Sequence, residues 1–234
     1  MKVLTFNVQH CASYLNGGVI DIPAVADAIR GYDADIVGLN EMYGKGTKPQ
    51  FTAQVEELAK LADYPTHYFA KAIDFKENNP YGNGFLSRIK IAHAEVIPIP
   101  DPDPRGYDGY YETRCLFKAE LENGVTVLVT HFGLNPDEQQ NSVDTILPHL
   151  KSEKCILMGD FNVTPDNPVL APIYARMKDT AEAFAEPKLS WPSDKPNQKI
   201  DYIFVSPDAK VISADIPADM TSDHRPHVSE IVFE

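Results

Sequence analysis

No run of apolar residues in this sequence approaches the ~20 that a bilayer-spanning helix needs, so a helical membrane span is not expected. The opening residues, MKVLTFNV, lack a basic segment leading into a long apolar stretch, and a secretory leader is not expected either. Cysteine is scarce: Cys11, Cys115 and Cys155 are odd in number, widely spaced and without a CxxC pair. That pattern argues against a disulfide framework or a thiolate zinc site, and for free thiols in a reducing, cytoplasmic setting. Positive charge is in short supply, with 21 Lys and Arg against 34 Asp and Glu and a net charge of −13. Such a surface repels phosphate backbones on average, so a broad nucleic-acid footprint is not expected. Lys45 and Lys48 in YGKGTKPQ are the candidates for a local basic spot, although a solvated loop is the simpler account of them. Repeats, low-complexity tracts and domain linkers are missing as well. What remains, 234 residues with 43% hydrophobic content, is enough for one globular domain over residues 1–234.

The patterning present alternates strands and helices. Val3 to Val8 reads as a strand. Asp21 caps a helix with Pro23 in its first turn and Gly31 at its end. DIVGLNEM reads as a buried strand finishing at Asn40 and Glu41. An amphipathic helix is expected over Pro49 to Ala62, then strands at Tyr64 to Ile73 and at YGNGFLSR. Residues 98–113, PIPDPDPRGYDGYYET, carry too many prolines and glycines for a ladder and read as a long loop. RCLFKAEL and VTVLVTHF flank Glu122-Asn123-Gly124, a hairpin signal. Asn135 and Pro136 open a helix running to about Lys151. ILMGD is a further strand, Pro168 to Met177 a short helix, and KIDYIFVS and HVSEIVFE the last strands. The order describes one mixed α/β domain.

One pattern recurs along it. Asn7 lies in LTFNV, Glu41 ends VGLNE, His131 ends VLVTH, Asp160 ends ILMGD, Asp201 precedes YIFV, and Asp223-His224 precedes VSEIVF. Each sits beside an apolar run, where a charged or strongly polar group is costly unless paired or metal-bound. Taken singly, turn and cap chemistry explains any of them. Six such places in one chain point instead to strand ends converging on one mouth.

The set FNV, LNE, GNGFLSR, THFG, GDFNVTP, IDYIF and SDHRPH resembles the endonuclease/exonuclease/phosphatase superfamily, in that family's order and over nearly the whole chain. Each piece alone is weak; GDFN followed by IDYIF and SDHRP is highly specific. The resemblance implies a four-layer α/β sandwich, two mixed sheets packed face to face with helices outside. It implies Glu41 as the principal ligand of a divalent cation, Mg2+ or else Mn2+, with Asn7 beside the metal and Asp223 completing that side. Asp160 and Asn162 would hold the attacking water and the phosphate. His224, oriented by Asp201, would contact the scissile phosphate, and His131 would be a second phosphate-binding histidine. Arg114 would clamp the phosphate. Tyr107, Tyr110 and Tyr111 either line the mouth, where they could stack a base or a sugar, or simply pack the loop, with Tyr110 the candidate for substrate contact.

The chemistry fits those roles. Mg2+ takes hard oxygen ligands, commonly one or two carboxylates completed by water and substrate oxygens. Imidazoles and a guanidinium stabilise charge on non-bridging oxygens, and a carboxylate beside a water can act as general base. The function expected is divalent-metal-dependent hydrolysis of a phosphoester, as a phosphodiesterase, phosphatase or nuclease, with no obligate protein partner. The alternative is a catalytically inactive binding or scaffold protein of the same fold, which should have lost part of the acid, amide and imidazole set. Two departures bear on substrate. Gln9 stands where abasic-site endonucleases carry an acid, and the basic cluster of inositol phosphatases is missing. Nucleic acid and small phosphoester both stay open.

Overall fold

A computed structural model describes residues 1–76 and 78–234. The elements are β1 (Lys2–Asn7), β2 (Ala12–Ser13), β3 (Val19–Ile20), α1 (Ile22–Tyr32), β4 (Ile36–Tyr43), α2 (Gln54–Leu61), β5 (Thr66–Phe75) and β6 (Asn79–Ser87). They continue with β7 (Ile91–Pro98), β8 (Cys115–Leu121), β9 (Thr126–His131), α3 (Pro136–Ile146), β10 (Cys155–Asp160) and α4 (Ala171–Tyr174). The last are β11 (Lys178–Asp179), β12 (Asp201–Val205), β13 (Ala209–Asp215) and β14 (His227–Phe233). Two large mixed sheets result, ordered β13-β14-β1-β4-β6-β5 and β11-β12-β10-β9-β8-β7, with β2-β3 a small ribbon. None of the described helices is long and apolar enough to cross a membrane.

The layers follow from the period of two along each strand. Val3, Ile36, Phe117, Val127, Val129, Ile156, Met158 and Ile203 point into the slab between the sheets. Their neighbours Leu4, Phe6, Val37 and Leu39 face α1 and α2 on one outer side. Leu116, Leu128, Leu157, Tyr202 and Phe204 face Val143 and Ile146 of α3 on the other. This is the four-layer sandwich, helices outside and two sheets between.

The expected elements largely stand, with instructive differences. Asp21 caps α1 by accepting from the Ala24 N–H at 3.0 Å, but Gly31 lies inside the helix and Asp33 (φ 51°) takes the left-handed stop. α2 starts at Gln54 rather than Pro49; the segment before it turns back on itself, with Gly46 N–H bonding to Phe51 O. α3 opens on Asn135 with a capping box to Glu138 and passes into a 3-10 turn over Leu147–His149. β4 does not finish at Glu41 but runs on to Tyr43 through a bulge. β7 and β13, not expected from sequence, are the partly solvated edge strands, so their apolar alternation is weak. Lys45 and Lys48 lie exposed on a loop.

Candidate active site

The period of two carries each sheet's inner face to its end. In the first sheet the inward phase of Val3 and Thr5 ends at Asn7, which sits opposite Asn40 of the parallel β4. In the second, Asp160 is flanked in register by His131 of β9 and Asp201 of β12. These five polar side chains therefore lie in the inter-sheet slab at the same end of both sheets, where the apolar filling gives out.

Glu41 joins them by a different device. Strict alternation would turn it toward the helices, as Leu39 and Met42 are. The register slips between Leu39 and Met42, and Glu41 adopts a left-handed backbone (φ 61°) that keeps it on the side of Asn40. A bulge re-aims this one acid. Gly159 has a comparable constraint: at φ 145° a Cβ would come 1.9 Å from Thr130 O, so the residue before Asp160 must be glycine.

Asp160 is the hub and is buried. Its Oδ1 accepts from the Asn162 N–H at 2.9 Å, a turn contact. Its Oδ2 accepts from Asn7 Nδ2 at 3.0 Å and lies 3.5 Å from His131 Nε2 and 3.6 Å from His224 Nε2. The same Asn7 nitrogen donates to Glu41 Oε1 at 3.1 Å, while Asn7 Oδ1 accepts from the Gln9 N–H. That backbone donor fixes the amide's orientation, so Asn7 joins the two acids and turns its oxygen away from them. Gln9 in turn reaches Asp223 Oδ2 at 3.3 Å. The Asn162 amide is anchored to Phe132 O at 3.0 Å.

Burial sets the protonation states. The Asp160 carboxyl is pushed up, first by burial and then by the charge of Asp201, against His224 and the Asn7 and Asn162 donors. Burial, followed by the charge of Asp223, also raises Glu41. For His224 burial acts downward, yet the carboxylates of Asp201 and Asp160 outweigh it and hold the ring protonated; Nδ1 is 2.9 Å from Asp201 Oδ2. His131 goes the other way, driven down by burial and by the Arg114 guanidinium. An Arg114 nitrogen sits 2.9 Å from His131 Nδ1. A guanidinium only donates, so Nδ1 accepts and the remaining proton lies on Nε2, facing Asp160.

These groups line one cavity of about 600 Å3, where Glu41, Arg114, His131, Asp160, Asn162, Asp223 and His224 are joined by Tyr81, Tyr110, Trp191 and Gln198. Arg114 is paired with Glu112 on the same wall. Asn7 and Asp201 stand behind the lining. Of the three tyrosines only Tyr110 lines the cavity; Tyr111 packs on the outer side of the loop against Asp137 (2.8 Å) and beneath Arg105, and Tyr107 is exposed.

Among the described residues Asp160, Asp201 and His224 offer ligand atoms within 4.8 Å of one another. His224 Nδ1 is committed to Asp201, however, and a protonated ring has no lone pair for a cation. The donors better suited to a hard cation are the carboxylate oxygens of Glu41 and Asp223, which line the same cavity. Five contributors were not expected from sequence: Tyr81, Glu112 and Gln198 of the lining, and two more. Asn40, fully buried, donates to Asn83 Oδ1 and Thr130 O at 2.8 Å each and accepts from the Asp160 N–H at 2.9 Å, so one amide joins the sheets. Trp191 stands near the His224 ring, with centroids 6.5 Å apart. The LNE and GNG amides and the isolated SWPS tryptophan were the signals available for them.

Residues 4–224 match the family model described as Endonuclease/Exonuclease/phosphatase family. Solved structures agree in fold. An endonuclease/exonuclease/phosphatase from Beutenbergia cavernae DSM 12333 superposes with a TM-score of 0.80 at 22% identity, covering 100% of this chain and 71% of that one. A mannosyl-6-phosphatase from Bacteroides thetaiotaomicron VPI-5482 gives 0.78 at 17%, covering 100% of both chains. The human Nocturnin catalytic domain, with a bound sulfate anion, gives 0.72 at 18%, covering 100% of this chain and 93% of that one. No curated protein matches the sequence.

Proposed function

We propose, for a chain that belongs to the endonuclease/exonuclease/phosphatase family, that it hydrolyses phosphate esters with a divalent cation, Mg2+ or Mn2+. The observation that carries this reading is the environment of Asp160, whose Oδ2 meets two imidazole nitrogens and an amide bridged to Glu41. The alternative of an inactive scaffold would tolerate loss of these groups; the chain keeps all of them. The superposed relatives include a protein named as a mannosyl-6-phosphatase and one holding sulfate, an oxyanion shaped like phosphate.

Glu41 and Asp223 would hold the cation. When bound, it supplies positive charge that offsets the phosphate's own and lowers the cost of ionising a water nearby. The remaining roles belong to the protein. His224, kept as imidazolium by Asp201, donates from Nε2 to a phosphate oxygen. His131, kept neutral with its proton on Nε2 by Arg114, donates to another. Arg114 adds a guanidinium to the same wall. Asp160 takes a proton from the attacking water, its basicity raised by burial toward the pH at which a general base is most effective. Asn162, tethered to Phe132 O, holds that water's orientation. Buried free thiols at Cys11, Cys115 and Cys155 suit a reducing, cytoplasmic setting.

The test is hydrolysis of bis-p-nitrophenyl phosphate and of a monoester panel by purified protein. We expect turnover in Mg2+ or Mn2+, loss of it in EDTA, and a drop of ~10²-fold or more in Asp160→Ala. Silence across the whole panel would establish the scaffold reading instead.

A further inference from the structure

The substrate class of this site can be read from the charges that line it, and this reading rests on the proposed phosphoesterase activity. Four carboxylates face the cavity, from Glu41, Glu112, Asp160 and Asp223, against one guanidinium and two imidazoles. Among the described lining residues there is no lysine. Arg114 is already committed, to Glu112 and to His131 Nδ1. A divalent cation, the guanidinium and the His224 imidazolium together only neutralise the four carboxylates. One phosphate is then held by the hydrogen-bond donors of His131, His224 and Arg114, and no lining cation is left over to meet a second.

The rim agrees. It includes Tyr110 and Leu134, which are 62% and 56% exposed, and Trp191 and Gln198 line the same cavity. Glu112 lies beside it, its side chain only 9% exposed, paired with Arg114 and accepting from the Tyr110 hydroxyl at 3.1 Å. Flanking phosphates of a polynucleotide would meet rings, an isobutyl group and a carboxylate where contact needs Lys or Arg. The same surface suits a neutral body. Trp191 and Tyr110 offer flat apolar faces, while Gln198, Asn162 and Glu112 offer partners for hydroxyls. A cavity of about 600 Å3 is in the range that encloses a small ligand. We infer that this enzyme acts on phosphate esters bearing a single phosphate on an uncharged, hydroxyl-rich body such as a sugar, and that Glu112 makes it reject substrates with a second phosphate.

The experiment compares kcat/KM, in Mg2+, for a hexose 6-phosphate, the corresponding hexose 1,6-bisphosphate, a short single-stranded oligonucleotide and bis-p-nitrophenyl phosphate. We expect the monophosphate to exceed the bisphosphate by ~tenfold or more, about one unit of adverse charge at such a site, and the oligonucleotide to rank last. Leu134→Lys should raise the bisphosphate-to-monophosphate ratio about fivefold, Leu134→Gln should leave it, and Glu112→Gln should raise it. A bisphosphate or oligonucleotide turned over as well as the monophosphate, or a hexose phosphate left intact while bis-p-nitrophenyl phosphate is hydrolysed, overturns the inference alone. No turnover of any ester overturns the phosphoesterase reading beneath it.

Discussion

Replacing Asp201 by Asn tests the relay behind the candidate site with almost no change of shape. Asp201 is fully buried, its Oδ2 lies 2.9 Å from His224 Nδ1, and its Oδ1 has no hydrogen-bond partner among the described residues. The carboxylate's effect is therefore electrostatic, felt first by the His224 ring it faces and also by Asp160. At an effective dielectric near 20, unit charges ~4 Å apart attract by about 4 kcal/mol, or roughly three pKa units. That is enough to outweigh the burial that drives His224 down, and its removal should leave the ring neutral near pH 7, with Asp160 and Asp223 the remaining supports. An amide oxygen can still accept from Nδ1, so orientation survives while charge does not. We expect kcat at pH 7.5 to fall by ~10²- to 10³-fold and the alkaline limb of the pH–rate profile to move down by at least one pH unit. A second readout checks the sign. A histidine whose folded value is raised contributes stability that is complete below its unfolded value, near pH 6.5, and is lost as pH rises through the folded one. Urea melts across pH 6–10 should show this loss in the parent protein and much less of it in Asp201→Asn. A variant that keeps its alkaline limb in place, or its rate to within about threefold, would refute the relay.

Three further changes probe other parts of the arrangement. Glu41→Gln should weaken Mg2+ binding, followed by calorimetry, at least ~tenfold, because a hard dication loses its best-placed carboxylate. His227 is buried and pushed down to about 4, first by burial and then by the charge of Lys199. Its neutral form is favoured on folding, so stability should fall as pH drops from about 6.5 to 4, by up to ~1.4 kcal/mol per pH unit; urea melts of His227→Gln should lack that component. Asn40→Ala removes the partner of Asn83 Oδ1, Thr130 O and the Asp160 N–H together. At ~1–3 kcal/mol for each group left unsatisfied, we expect about 3–5 kcal/mol of lost stability by chemical denaturation.

Much of this was legible because strand periodicity is a local signal. An apolar run bounded by Asp or His announces both the strand and the residue it projects, and that is how Asp160 and His131, which end their runs, and Asp201, which precedes its own, came into view. The ends of elements were less visible. Gly31 looks like a helix stop by composition, yet Asp33, with a side chain that tolerates the left-handed conformation, takes the position. The bulge that swings Glu41 inward leaves no mark in VGLNEMY, because it depends on which residues of β6 pair with β4. Edge strands β7 and β13 face solvent on one side and so lack the apolar density that marks a central strand. Asn40 is the sharpest case: its partners are 43, 90 and 120 residues away, a separation over which no local pattern reports.

The same separation explains why Asp160 resists the choice between turn former and reactive group. Its two oxygens divide the work. Oδ1 closes a local turn with the Asn162 N–H, two residues on, while Oδ2 meets groups from β1, β9 and the segment before β14. The turn is what holds the oxygen proposed to react in place. With Oδ1 held locally and the Asp160 N–H held by Asn40, the carboxylate can rotate little, and Oδ2 stays aimed into the cavity. A buried acid that would otherwise swing toward any donor is thereby kept in the one orientation that the proposed role requires. The sequence GDFN encodes both features in four residues, the glycine because no Cβ fits beside Thr130 O and the asparagine because it adopts a left-handed backbone (φ 51°) while its amide grips Phe132 O. Turn chemistry and site chemistry are in this case one arrangement, seen from the two oxygens of a single side chain.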